Sequence, residues 1–410
     1  MFSCLWTGVY LDELAIKIFR SPYNRHTGKA WQYQIKNMPQ KLYKNKSAAG
    51  WIAFISFLLY NDDDNSETFT DRYSGHERMF FVKKVLSVVL CAALVFSAFA
   101  VASAESNSLK VAICFAEALG DLGFNDSAYE GLLALEEDYG VEGSYVECKT
   151  DAGKYLTSLV DAAEANDIVV AVGWQYWDAL TEVVPQMPET LFIFVDNGLD
   201  GLGDNLVSLI YAENEGSFLA GYIAMKTSAT QTVGFVGGED TETINNFFVG
   251  YSQGALYANP DGTVLPPVYA GDYELPDKGK ELGIALYSAG ADVVFAVAGK
   301  TGLGVFEAAK ELDAYAIGVD SDQKYIDPGH IICSMVKNIG ESIYQTVAMY
   351  WEENIFEGGT IWEADISTGI VAIGYGTSEM PQQVSEEVKA EVEDLALLIE
   401  AGDIVVDSTR

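Results

Sequence analysis

Ala316-Ile-Gly-Val-Asp-Ser-Asp-Gln323 decides the fold class. This short apolar strand delivers two carboxylates and an amide at its carboxyl end, the place where open α/β sheets bind small ligands. Elsewhere the chain repeats the arrangement, an apolar run followed at once by polar, aromatic or glycine residues. Runs of strand length span 109–115, 168–172, 191–195, 206–211, 232–236, 293–297, 316–319 and 331–335. They read as buried parallel strands. Segments of helical period lie between many of them, among them Ala128, Leu132 and Leu135 with Tyr129 and Leu133 alongside, and residues 306–312. Such alternation predicts βαβ units and doubly wound parallel sheets. A further acidic helix is expected from Ser385 to about Ala401.

The residues that follow the strands are the candidates for function. After the first strand comes Gly120-Asp-Leu-Gly-Phe-Asn-Asp-Ser-Ala-Tyr-Glu-Gly131, in which Asn125 or Asp126 is suited to cap the next helix and Phe124 is an aromatic at a loop tip. Gly173-Trp-Gln-Tyr-Trp177 follows the second strand, with Trp174 and Tyr176 available to a ligand or to the core. Asp196 follows the third. Gly237-Gly238 leads toward Ile244-Asn-Asn-Phe-Phe-Val-Gly-Tyr251, and Gly299-Lys-Thr-Gly-Leu-Gly304 follows the sixth strand. Together they suggest a small-molecule cleft.

Catalytic engines are missing. Gly299-Lys300-Thr301 resembles the end of a phosphate-binding loop, but Val294 stands where the first glycine is required. No dinucleotide fingerprint follows the first strand and no G-x-S-x-G elbow occurs. Beyond residue 104 the cysteines are Cys114, Cys148 and Cys333, with no metal-ligand spacing, and the sole histidine is His330. Metal centres and histidine triads therefore have little to work with, and no cofactor is expected. Cys114 and Cys333 sit in apolar runs where a buried thiol is the default; a disulfide through Cys148 stays open. Residues 105–410 carry 12 basic against 52 acidic side chains. Such a surface repels nucleic acid and disfavours anionic ligands.

The amino-terminal part reads as targeting. Met79, Lys83 and Lys84, an apolar run from Val85 to about Ala100, and Ala102-Ser103-Ala104 compose a secretory signal over 79–104. The run is shorter than the roughly 20 residues of a membrane span. Lipidation at Cys91 is disfavoured because Leu90 precedes it and the cysteine lies deep inside the run. Residues 1–78 read as an extension from a misplaced start, without a stable fold on composition.

With these segments in place, the chain resembles the basic membrane protein (BMP) family of solute-binding proteins, whose members include purine nucleoside receptors of ABC transporters. The resemblance runs from about Lys110 to about Gly376. It rests on Gly123-Phe-Asn-Asp-Ser-Ala-Tyr-Glu-Gly131, Glu215-Gly-Ser-Phe-Leu-Ala-Gly221, Val233-Gly-Phe-Val-Gly-Gly238, Phe247-Phe-Val-Gly-Tyr251, Ala298-Gly-Lys-Thr-Gly302, Ile317-Gly-Val-Asp-Ser-Asp-Gln323 and Ser334-Met-Val-Lys337.

It implies a type I periplasmic binding protein: two Rossmann-like lobes joined by a three-strand hinge, with 105–213 plus 332–372 as lobe 1 and 214–331 plus 373–410 as lobe 2. The implied activity is extracytoplasmic capture of a small neutral ligand, a purine nucleoside, for an ABC permease. The membrane would be met only through that permease, and no bond would be made or broken. The implied contacts are stacking by Phe247 with Trp174 or Tyr176 opposite, ribose hydroxyls gripped by Asp320 beside Lys337, and polar edges met by Asn125 and Asp196. Phe124 and Gly299 complete the set. Lys300, where the family usually has glycine, and Gln175 depart from the pattern. They leave riboflavin, a sugar, a signalling furanose or a sensory role as alternatives.

Overall fold

The computed structural model describes residues 108–409; the expected signal at 79–104 and extension at 1–78 lie outside them. The chain begins with β1 (Lys110–Phe115), α1 (Phe124–Tyr139), β2 (Glu142–Glu147), α2 (Ala152–Ala165), β3 (Ile168–Val172), α3 (Trp177–Val183), β4 (Leu191–Val195) and β5 (Leu206–Tyr211). It continues with α4 (Glu213–Thr227), β6 (Thr232–Gly237), α5 (Glu242–Ala258), the short strands β7 (Thr263–Val264) and β8 (Val268–Tyr269), α6 (Pro276–Ser288), β9 (Val293–Val297), α7 (Gly299–Glu311), β10 (Tyr315–Asp320) and β11 (Ile331–Lys337). Then come α8 (Ile339–Glu353), β12 (Thr360–Ala364), β13 (Val371–Gly374) and α9 (Glu386–Glu400).

These strands form two sheets. The first has the order β12-β5-β4-β3-β1-β2 and is parallel throughout. The second, β13-β11-β10-β9-β6-β7, is parallel except for β13, which runs antiparallel to β11. Continuous apolar runs mark the interior strands because helices cover both faces of a parallel sheet; β3, Ile-Val-Val-Ala-Val, is buried at every position. β2 and β12 lie at sheet edges, are largely exposed, and carry polar residues. That pattern hides them from a periodicity reading.

The chain crosses between lobes three times: from β5 into α4, from β11 into α8, and from β12 to β13. This corrects the expected lobe limits. Residues 331–337 and 371–374 hydrogen-bond into the second sheet, so the return to lobe 1 begins with α8, which packs on α1. An apolar run announces a strand but not the sheet it joins, because pairing is decided by contacts distant in sequence.

Two helix ends differ in legibility. α9 is capped as its sequence suggests, with Ser385 Oγ accepting from the Val388 amide. At α1 neither Asn125 nor Asp126 is the cap. The Asp121 carboxylate accepts the amides of Gly123, Asn125 and Asp126, while Asp126 turns back to the amides of Gly120 and Leu122. Cys114, Cys148 and Cys333 are all free and buried.

Candidate functional site

Strand carboxyl ends from both sheets converge on one inner chamber of about 50 Å3. Lobe 1 brings Glu117 after β1, Phe124 at the start of α1, Gly173 to Gln175 after β3, and Asp196 after β4. Lobe 2 brings Ile244 and Phe247 from α5, Tyr273, Ala298 and Gly299 after β9, Asp320 at the end of β10 and Lys337 at the end of β11. Asp196 and Asp320 both adopt left-handed backbone, with φ of 76° and 65°. A non-glycine residue there costs on the order of 1–3 kcal/mol, and such positions cluster at ligand sites. The turn aims each carboxylate into the chamber.

Lys337 organises the charge. Its Nζ donates to Asp196 Oδ1 at 2.6 Å, lies 3.7 Å from Asp320 Oδ1, and sits 5.1 Å from the ring centres of both Phe124 and Phe247. Burial disfavours charge on this amine, yet Asp196, Asp320 and Glu213 outweigh it and hold its pKa above the usual value. Asp320 moves the other way from an ordinary carboxyl: burial pushes it up to about 7, against the pull of Lys337 and with help from Asp196, Asp121 and Glu213. Glu117 is also pushed up to about 7, chiefly by burial, with the charges of Asp121 and Glu274 adding and hydrogen bonds from Asn125 and Gln175 opposing.

Of the residues singled out from the sequence, Phe124, Trp174, Asp196, Phe247, Gly299, Asp320 and Lys337 line the chamber. Tyr176 does not. Its ring is fully buried in the lobe 1 core, and its hydroxyl meets Cys148 Sγ at 3.2 Å and Ser158 Oγ at 3.3 Å. A one-residue step separates it from chamber-facing Gln175 because the segment 174–176 is a tight 3-10 turn. Asn125 stands behind the wall, its Nδ2 donating to Asp121 Oδ2 at 2.9 Å and Glu117 Oε2 at 3.2 Å. Lys300 turns away to Glu274 at 3.3 Å and is absent from the lining.

The sequence reading missed Glu117 and Tyr273. Glu117 follows an apolar strand like the other candidates and was detectable by that rule; Tyr273 lies in a loop that carries no such signal.

A second compartment of about 540 Å3 adjoins the chamber. Glu117, Trp174, Gln175 and Tyr273 border both, whereas Asp196, Asp320 and Lys337 border only the inner one. The outer walls add Asp178, Glu182, Glu239 and Asp272, and no lysine, arginine or histidine. An anion meets a repulsive field there.

Comparisons with known proteins fit this architecture. Basic membrane protein A1 of Borrelia garinii subsp. bavariensis is 32% identical over 331 residues, covering 79% of this chain and 96% of the relative. The CD4+ T-cell-stimulating antigen of Listeria monocytogenes is 34% identical over 310 residues, covering 70% and 84%. Among solved structures, an ABC transporter solute-binding protein from Aeropyrum pernix superposes with a TM-score of 0.66 at 25% identity, covering 73% of this chain and 94% of that one. One from Conexibacter woesei gives 0.60 at 20% identity, covering 74% and 99%. The fold is that of the type I periplasmic binding proteins. Residues 108–409 match the Bmp family, described as PnrA-like ABC transporter substrate-binding proteins, and the chain belongs to that family.

Proposed function

We propose that this substrate-binding protein captures purine nucleosides outside the cytoplasm and presents them to an ABC permease. The observation that carries the reading is the inner chamber itself, where Phe124 and Phe247 face one amine from two lobes and Asp320 and Asp196 flank it. A purine is a flat, neutral π-system that two phenyl rings hold by stacking, at about 0.5–1.5 kcal/mol per pair beyond the buried area. Vicinal ribose hydroxyls suit a buried carboxylate, since hydrogen bonds to a charged group contribute roughly 1.5–3 kcal/mol each. Phe124, rather than Tyr176, is the partner that supports the stack.

The chamber's 50 Å3 is far below the roughly 300–1,000 Å3 of ordinary ligand sites. Entry therefore requires the lobes to part or Lys337 to swing aside. Closure is then stabilised because the ligand touches both lobes only in the closed form. Family membership carries the extracytoplasmic location. Freedom from a lipid anchor finds no support: the residues in question lie outside those described, and the Borrelia relatives are named membrane proteins.

Titration with inosine, guanosine, adenosine, cytidine, free bases, ribose and riboflavin by thermal unfolding tests the ligand. A ligand at 100 times its Kd is expected to add about 2.7 kcal/mol to stability. No shift with any purine nucleoside removes the proposal. Phe247→Ala and Asp320→Asn are each expected to weaken nucleoside binding at least tenfold with the fold retained; normal binding by both means that the site is elsewhere.

A further inference from the structure

Glu117 is buried, 9% exposed, and stands where the inner chamber opens into the outer compartment. Two amides hold it: Asn125 Nδ2 donates to Oε2 at 3.2 Å and Gln175 Nε2 to Oε1 at 3.1 Å. Each carboxylate oxygen has two acceptor sites, so one on each oxygen remains for a ligand. The residues suited to the sugar, Asp320 and Lys337, border only the inner compartment. A nucleoside with its sugar there presents the edge farthest from the glycosidic nitrogen toward Glu117.

We propose that Glu117 reads this base edge at N1 and selects nucleosides that carry a hydrogen there, the 6-oxopurines guanosine and inosine, ahead of adenosine, whose N1 carries none. The inference rests on the nucleoside reading above. Guanine offers an N1–H and an exocyclic amine side by side, matching the two open acceptor sites of a carboxylate; hypoxanthine offers the N1–H. Adenine places a lone pair at N1, directly against the anion, and keeps only its 6-amine as a donor on this edge. A site built to accept an N–H discriminates strongly against an analogue that lacks it, because its buried polar group is left unpaired.

The same carboxyl makes the selection depend on pH. The titratable groups facing it are Asp121 before α1, Glu274 and Tyr273 before α6, and Tyr155 on α2. Glu274 is partly offset by Lys300, and none of the others brings a cation. With Glu117 pushed up to about 7, it is an acceptor-only carboxylate well above that value. Below it, the group carries a proton to donate, which suits adenine N1. Gln175 serves either state without rearrangement: its Nε2 donates to Glu117 Oε1 whether or not Oε2 carries the proton, which leaves that proton for the ligand. Asp320 titrates in the same range, but it faces the ribose common to all three nucleosides and cancels from their ratio.

Isothermal titration of the full-length chain with guanosine, inosine and adenosine at pH 5.5 and pH 8 decides the matter. The guanosine-to-adenosine affinity ratio is expected to rise at least tenfold from the lower to the higher pH. In Glu117→Gln it is expected to be flat with pH and at least tenfold lower at pH 8. A wild-type ratio that does not move with pH overturns the proposal, and this arm stands even where the variant does not fold. A variant that keeps the wild-type ratio and pH profile overturns it too. Binding of none of the three nucleosides is a separate outcome that removes the nucleoside reading and this inference with it.

Discussion

Lys337→Met is expected to lose about 3–5 kcal/mol of folding stability at pH 8, the usual result of removing one partner from a buried ionic group. Lys337, Asp196 and Asp320 side chains are 3%, 13% and 8% exposed, so water offers little compensation. Methionine fills most of the space but leaves two carboxylates facing each other without a cation.

The loss should depend on pH, with a sign that follows from Asp320. Its folded-state pKa, about 7, lies above its ordinary 3.8, so between those values the folded chain binds the extra proton. Stability from this group is greatest at low pH and falls as pH rises through 7. Glu117 acts in the same direction. At pH 5 Asp320 is protonated in the folded protein and one of the two unpaired charges disappears. The variant should therefore be less impaired at pH 5 than at pH 8. Urea unfolding at both values checks this, and an equal loss at both, or a loss under about 1 kcal/mol, would falsify the assignment of Lys337 as the neutralising cation.

Gly254→Ala is expected to cost about 3 kcal/mol, at the upper end of overpacking effects, although alanine is ordinarily the better helix residue by about 1 kcal/mol. A Cβ at this position in α5 would stand 1.8 Å from the Phe218 carbonyl oxygen and 2.8 Å from its Cα in α4. Both obstacles are backbone, so no rotamer relieves them. Gly221 makes the reciprocal approach, its Cβ position 2.0 Å from the Tyr251 carbonyl oxygen. Helices α4 and α5 therefore pack at a separation that only glycine permits. Gly302→Ala in α7 supplies the contrast, since its nearest neighbours lie at an ordinary 3.5 Å; this change should be neutral or stabilising by up to about 1 kcal/mol. Equal denaturation midpoints for the two variants would show that the close approach is not maintained in solution.

Much of the site was readable because one rule produced it. Buried parallel strands expose their carboxyl ends at the cleft, so Asp196 and Asp320 announced themselves by following or ending apolar runs, while Lys337 entered through the family resemblance. Phe124 opens α1 and Phe247 lies in the second turn of α5. The rule failed for Tyr176, where adjacent residues of a tight turn diverge between chamber and core, and for Tyr273, carried in by a loop. It failed for the α1 cap, where Asp121, three residues before the first helical residue, satisfies amides that Asn125 and Asp126 do not.

Alternating apolar strands and helical segments required two doubly wound parallel sheets, because such strands are stable only with both faces covered. The residue types at the strand ends marked out a polar, aromatic small-molecule cleft. Which sheet receives Ile331–Lys337 was settled by folding, since strand pairing joins residues far apart in the chain. Folding likewise brought Lys337 to Asp196, 141 positions away, and buried Asp320 and Glu117 deeply enough to retune their protons. Desolvation is a property of the packed interior, and no local stretch of sequence contains it.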